Sequence, residues 1–142
     1  LTADLISPWA DIKMDVHKIP FEENSFDVII CNHVLEHVDD YNKVMREFFR
    51  VMKPGGWGIF QVPVDYNNAN TIEDKSVTDP RERERLYWQS DHLRLFGRDY
   101  GDKLAAAGFK VTESNYINEI DPNLVKRYAL DKNEIVYYCQ KP

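Results

Sequence analysis

The residues best suited to chemistry lie in the stretch IICNHVLEHVDD, residues 29–40. Its His33-x-x-Glu36-His37 spacing brings two imidazoles and a carboxylate close together, in a pattern that one class of zinc peptidases uses. Such an enzyme needs both imidazoles on one face of a rigid helix and an open coordination position for water. The stretch therefore raises a choice between a metal site and a loop with another task.

The elements around this motif argue against a zinc peptidase. Residues 26–31 form a short apolar run that is typical of a strand covered on both faces. Apolar residues spaced three and four apart then predict an amphipathic helix, which begins near Asp39 and ends at residues 53–56. The motif thus falls between a strand and a helix, where the peptidase helix is not available.

A looser metal interpretation stays open. His33, Glu36 and His37, together with the more distant His92, could reach one divalent ion. Imidazole-rich clusters more often only form hydrogen bonds, so we predict no metal ligand at this stage.

The rest of the pattern predicts an α/β fold. Residues 57–63 indicate a second strand after the helix, and strand, helix and strand joined by short connections form a parallel crossover unit. Residues 100–108 predict a further helix that stops at Gly108. The other strand candidates are residues 1–6, 11–16, 109–117 and 134–140. Alternating strands and helices over 142 residues predict one domain, residues 1–142, with a mostly parallel sheet.

The composition argues against two classes of partner, nucleic acids and membranes. A net charge of −6 disfavours nucleic acid, which binds through clustered lysines and arginines. No apolar run approaches the roughly 18 residues of a membrane span, and no signal peptide is visible, so we expect no membrane partner. Cys31 and Cys139 each sit in an apolar run, which predicts buried reduced thiols and a cytoplasmic protein.

Residues 64–81 are polar and longer than the usual connection in such a sheet. A substrate loop and a plain insertion explain this length equally well, and both interpretations stay open.

The segment PFEENSFDVIICNHVLEHVDDYNKVMREFFRVMKPGGWGIFQVP resembles the class I S-adenosylmethionine-dependent methyltransferases of the type 11 group. The shared features are P-F-x-x-x-S-F-D-x-I, then V-L-E-H, then R-V-M-K-P-G-G. The resemblance implies a Rossmann-like, mostly parallel sheet with helices on both faces and an antiparallel last strand. It also implies S-adenosyl-L-methionine as the cofactor and a small-molecule substrate.

The resemblance also implies cofactor-binding residues. Asp4 matches the acid that accepts both ribose hydroxyls, and Asp15 matches the acid that accepts from the adenine amino group. The Val16 amide would face a ring nitrogen, and Asn32 with His33 would close over the methionine part. We therefore expect Asp4, Asp15 and Asn32 along one rim of a common sheet.

Catalysis of methyl transfer depends mainly on positioning, and a general base is needed only if the acceptor arrives protonated. The candidates are His33, His37 and His92, and a purely structural role explains each of them as well.

One departure from the family matters. The family places a first strand and a glycine-rich E/D-x-G-x-G-x-G loop before the position of Asp4, and this chain lacks both. We therefore expect an N-terminally incomplete, truncated fold that alone binds cofactor weakly. The favoured function is methyl transfer to an unidentified small molecule. The alternative is a cofactor-free interaction or dimerisation module, and a homodimer is possible.

Overall fold

A computed structural model describes residues 1–142 and contains four α-helices, six strands and a short 3₁₀ helix. No helix combines the length and the apolar composition that crossing a membrane requires. The strands are β1 (Ala3–Asp4), β2 (Ile12–Lys13), β3 (Phe26–Asn32), β4 (Met52–Gln61), β5 (Lys110–Ser114) and β6 (Val136–Gln140). The helices are α1 (Tyr41–Val51), α2 (Pro80–Tyr87), α3 (Tyr100–Ala106) and α4 (Pro122–Arg127), with the 3₁₀ helix at Tyr116–Glu119.

The main sheet has the strand order β3-β4-β6-β5. Strand β3 runs parallel to β4, whereas β6 runs antiparallel to both β4 and β5. Only the last strand therefore opposes the others, which confirms the predicted α/β class and its antiparallel final strand. Strands β1 and β2 pair in parallel with each other and form a separate two-stranded sheet.

The order β3-α1-β4 follows the sequence-based prediction, but α1 ends at Val51, and residues 53–56, where its end was expected, lie in β4. Helix α1 starts at Tyr41 because the Asp40 side chain accepts a hydrogen bond from the Lys43 amide, at 2.9 Å. Its buried face reaches the core through Phe48, whose ring stacks on Phe60 of β4 with centroids 5.1 Å apart. Burial of this apolar stripe fixes the helix against the main sheet.

Three details differ from the prediction. The expected common sheet is wrong, because no strand lies between β1 and β3 and each pairs on one side only. The strand expected over residues 57–63 begins earlier, at Met52, and the register between β3 and β4 shifts near Val28 to accommodate the extra residues. The 3₁₀ helix and α4, between β5 and β6, were not predicted.

Arg94 connects parts of the chain that are far apart in sequence. Its side chain is 1% exposed, and its guanidinium donates to the carbonyl oxygens of Leu35 and Val38 and to the Glu73 carboxylate at 2.8 Å. A buried guanidinium needs such partners, and here the partners are the loop after β3 and the segment before α2. Arg94 therefore holds that loop against the second half of the molecule.

Both cysteines are free and buried, as predicted. Burial raises the pKa of the Cys31 thiol to about 12, and burial raises that of Cys139 to about 12 as well. Both thiols are therefore neutral and inaccessible in the folded chain at ordinary pH.

We predict that neither thiol of the folded protein reacts with a chromogenic disulfide reagent at pH 8, whereas both react within minutes in guanidinium chloride. Reaction requires the thiolate, and the raised pKa removes it until the chain unfolds. Rapid labelling of the folded protein would contradict the burial of Cys31 and Cys139.

We also predict that Arg94→Ala lowers the free energy of unfolding by about 3 kcal/mol, because it leaves buried acceptors unpaired. Arg98→Ala is the matched control, since Arg98 makes one exposed hydrogen bond to the Tyr66 carbonyl, and it should cost no more than about 1 kcal/mol. Urea unfolding monitored by circular dichroism measures both. Equal losses in the two variants would show that Arg94 does not hold the loop.

Candidate functional site

A cavity of about 550 Å³ lies between the two sheets. Its size falls within the range of small-molecule sites in proteins. Fourteen of its 17 lining residues are hydrophobic, and they come from β1, from the segment after β2, from β3 and from α1. The cavity therefore offers an apolar interior with few polar groups.

Each of the two strands that border this cavity has a free edge. Strand β1 pairs only with β2, and β3 pairs only with β4. Val28 and Ile30 of β3 are exposed and also line the cavity. The cavity is therefore bordered by two unpaired strand edges and by exposed apolar side chains.

Three of the five predicted cofactor residues line the cavity. They are Asp4 at the end of β1, Val16 after β2 and Asn32 at the end of β3. Asp15 and His33 adjoin Val16 and Asn32 in the chain but do not line the cavity themselves. The structure thus brings residues from three separate segments around one space, with Asp4 and Asn32 among its polar side chains.

Asp4 is fixed by a turn of its own backbone. One carboxylate oxygen, Oδ1, accepts hydrogen bonds from the amides of Ser7 at 2.7 Å and Ile6 at 2.8 Å. These two hydrogen bonds, the one from Ser7 first, hold the pKa of Asp4 below its usual value. Because Oδ2 has no protein partner, Asp4 presents an ionised acceptor to solvent.

Asp15 is held in a similar way. Its Oδ1 accepts from the His17 amide at 2.9 Å and lies 2.7 Å from His17 Nδ1. The hydrogen bond from the His17 amide is the largest of the effects that lower the pKa of Asp15, and the contact with the His17 side chain comes next. Asp15 is therefore an ionised side chain with its second oxygen free.

The backbone turns sharply where β3 ends. His33 has a φ of 56°, in the left-handed region, and its amide donates to the Gln61 carbonyl of β4 at 2.9 Å. Non-glycine residues seldom adopt this conformation, and those that do are concentrated in turns and at functional sites. The turn follows Asn32, and both Asn32 and the next apolar residue, Val34, line the cavity.

The three predicted catalytic histidines meet around Glu36. His33 Nδ1 lies 3.2 Å from Glu36 Oε1, and His37 Nε2 lies 3.9 Å from the same oxygen. The rings of His37 and His92 are in edge-to-face contact, with centroids 4.8 Å apart. The structure therefore joins residues from two distant segments into one group, which we call the histidine cluster: His33, Glu36, His37 and His92.

Sequence reasoning missed Arg94. The alternation DHLRLF gives no sign that the arginine within it is buried, because a charged residue between apolar ones normally faces solvent. Only the fold shows that Arg94 lies beneath the loop that carries Glu36 and His37.

Residues 64–81, the long polar segment, are anchored rather than free. Isolated bridges join Val64 to Phe96 and Ile72 to Leu95. The Thr71 amide and hydroxyl both donate to Asp99 at 2.8 and 2.7 Å. The segment therefore forms a fixed wall of the molecule.

Comparisons with known proteins give partial sequence matches. Residues 5–60 match a sequence family described as a methyltransferase domain. The chain is 43% identical over 42 residues to a ubiquinone/menaquinone biosynthesis C-methyltransferase from Desulfotalea psychrophila, and 49% identical over 39 residues to a demethylmenaquinone methyltransferase from Listeria monocytogenes. These matches cover 30% and 28% of this chain but only 17% and 16% of the two relatives.

Solved structures extend the likeness to most of the chain. The [4+2]-cyclase SpnF superimposes with a TM-score of 0.60 at 18% identity, covering 92% of this chain and 56% of that one. A putative methyltransferase from Bacillus halodurans gives 0.55 at 18% identity, covering 92% and 70%. The chain therefore shares a Rossmann-like α/β fold with these solved structures, and its residues 5–60 match the methyltransferase domain family.

Proposed function

We propose that this protein transfers a methyl group from S-adenosyl-L-methionine to a small-molecule acceptor. The proposal rests on one observation, which is that Asp4, Val16 and Asn32 line the same cavity. Ligands of such α/β folds bind beyond the carboxyl ends of the strands, and Asp4 and Asn32 are the last residues of their strands.

The carboxylates suit the polar parts of a nucleoside. Asp4 keeps one oxygen free for ribose hydroxyls, and Asp15 keeps one free for the adenine amino group beside Val16. Because backbone hydrogen bonds lower the pKa of both acids, each stays charged and accepts charge-assisted hydrogen bonds. The turn at Asn32 and His33 would enclose the methionine part.

The cofactor supplies a methyl group already activated by a sulfonium, so the protein mainly has to position the acceptor. If the acceptor arrives protonated, a base must remove the proton. Among His33, His37 and His92, the first is best placed, because it follows Asn32 directly and its side chain is 63% exposed. His92 is buried, and His37 is only partly exposed.

The acceptor is proposed only as a class. Two relatives are named for methylation in quinone biosynthesis, but the matches cover less than a fifth of either protein. The apolar lining of the cavity supports an acceptor with a ring or an apolar part. The negative net charge supports a small molecule in preference to nucleic acid.

A second function has its own support. The free edges of β1 and β3, with Val28 and Ile30 exposed, could accept a strand from another copy or from a partner protein. A chain used in that way would be an interaction module without cofactor. The cyclase among the structural neighbours also shows that this fold alone does not determine the reaction.

We predict measurable binding of S-adenosylmethionine in calorimetric titrations. The chain as it stands should bind weakly, and a version carrying a strand and glycine-rich loop ahead of Leu1 should bind more tightly, because glycines let the backbone approach the cofactor. Asp4→Asn and Asp15→Asn should each lower the affinity about tenfold or more, since a hydrogen bond to a charged group contributes about 1.5–3 kcal/mol.

Asp27→Asn is the matched control for these titrations. Asp27 lies on β3, outside the cavity lining, and pairs with Lys53 on the surface, so its substitution should leave the affinity unchanged. If neither version of the chain produces heat of binding, methyl transfer is excluded and the interaction module remains.

A further inference from the structure

We propose that Glu36, His37 and His92 form a binding site for a divalent transition-metal ion. Each residue offers one ligand atom, and the three atoms lie within 4.8 Å of one another. The site lies beside the cavity, and metal binding there does not depend on the cofactor.

The buried carboxylate of Glu36 has one oxygen without a partner. Its side chain is 1% exposed, and Oε2 has no hydrogen-bond partner. Burial of a carboxylate oxygen without a partner is unfavourable. Buried charged groups in proteins are therefore usually paired or bound to a metal ion. A cation at this position would satisfy Oε2 and offset the desolvation of Glu36.

His92 is buried with one ring nitrogen already bonded. It is 4% exposed, and its Nδ1 lies 2.8 Å from the Tyr87 carbonyl oxygen. Because a carbonyl only accepts hydrogen bonds, Nδ1 carries the proton and Nε2 keeps a free lone pair. Metal-binding histidines commonly have this arrangement, with the nitrogen remote from the metal donating to a carbonyl or a carboxylate.

His37 lies between two carboxylates. Its Nδ1 lies 3.4 Å from Asp91 Oδ2, and its Nε2 lies 3.9 Å from Glu36 Oε1. The Asp91 carboxylate therefore lies near Nδ1, and Nε2 is the nitrogen nearer to Glu36. The two histidines offer nitrogen ligands, and the outer nitrogen of His92 is already engaged.

The distances require only a small adjustment. Ligand atoms that bind one ion at about 2.0–2.2 Å lie roughly 3–4 Å apart, so the three side chains must close by about 1 Å. The backbone around them is held by Arg94, which bonds to Leu35 and Val38, and by the Leu93 amide, which donates to the Glu36 carbonyl. Side-chain rotation on a fixed backbone is therefore sufficient.

The donor set indicates which ion would bind. Two imidazoles and one carboxylate suit zinc, cobalt and similar ions, whereas magnesium and calcium prefer oxygen ligands alone. Three protein ligands leave coordination positions for water or for an oxygen of another molecule. The exposed side of the cluster, at His33, is where such a molecule could enter.

The test is a cobalt titration of the full chain, stripped of metal and without cofactor, monitored by visible absorption. We expect one equivalent of Co²⁺ to bind with d–d bands, Zn²⁺ to displace it, and millimolar Mg²⁺ to leave the bands unchanged. Glu36→Gln and His92→Ala should each lower the Co²⁺ affinity at least about tenfold, because even outer partners of metal ligands contribute that much.

Two further variants keep the test decisive. His37→Ala removes a partly exposed ligand, so it should lower the Co²⁺ affinity as much as Glu36→Gln and His92→Ala do. It should not destabilise the core. His17→Ala is the control, since His17 contacts Asp15 and lies outside the cluster, and its affinity for Co²⁺ should be unchanged. Folding of each variant is checked by near-ultraviolet circular dichroism.

Absence of saturable Co²⁺ binding by the folded wild-type chain would overturn the proposal. Equal affinities in the wild type and in folded His37→Ala would do the same, and a loss confined to His17→Ala would show an adventitious surface site. Because S-adenosylmethionine takes no part, these outcomes are independent of the methyl-transfer proposal.

Discussion

A buried guanidinium holds the functional end of this chain in place. Arg94 donates to the carbonyl oxygen of Leu35, 59 residues earlier in the chain, and its side chain is almost completely removed from solvent. The loop between β3 and α1 would otherwise expose or leave unpaired several backbone carbonyls, which is costly inside a protein. The geometry of Glu36 and His37 therefore depends on a residue that takes no part in the proposed chemistry.

One turn then separates two functional surfaces. The left-handed conformation of His33 ends β3, so that Asn32 lines the cavity while Glu36 and His37 face His92. His33 thus lies between the proposed cofactor cavity and the proposed metal site, because it follows Asn32 and its side chain contacts Glu36. Strain stored at such a position is maintained only when the surrounding structure fixes it, and the hydrogen bond from His33 to Gln61 does so here.

Local chemistry explains which features the sequence could predict. Strand β3 and helix α1 follow from residue periodicity, and the helix start follows from the capping side chain of Asp40. The motif His33-x-x-Glu36-His37 was visible, and His92 was a candidate, but their meeting depends on contacts between distant segments. Helix α4 has a local start signal, Asp121 followed by Pro122, that was overlooked. The burial of Arg94 was not predictable, because tertiary packing rather than local pattern decides it. The separate β1–β2 sheet was missed for the same reason, since strand pairing is not local.

Asp4, Val16 and Asn32 line one cavity, which we propose holds the cofactor. Amide NMR spectra of the ¹⁵N-labelled chain, recorded during titration with S-adenosylhomocysteine, test it most directly. We expect the largest shift changes at these three residues and their chain neighbours, while α4 and β5 stay unchanged. Changes scattered over the surface, or concentrated at α4 and β5, would contradict it.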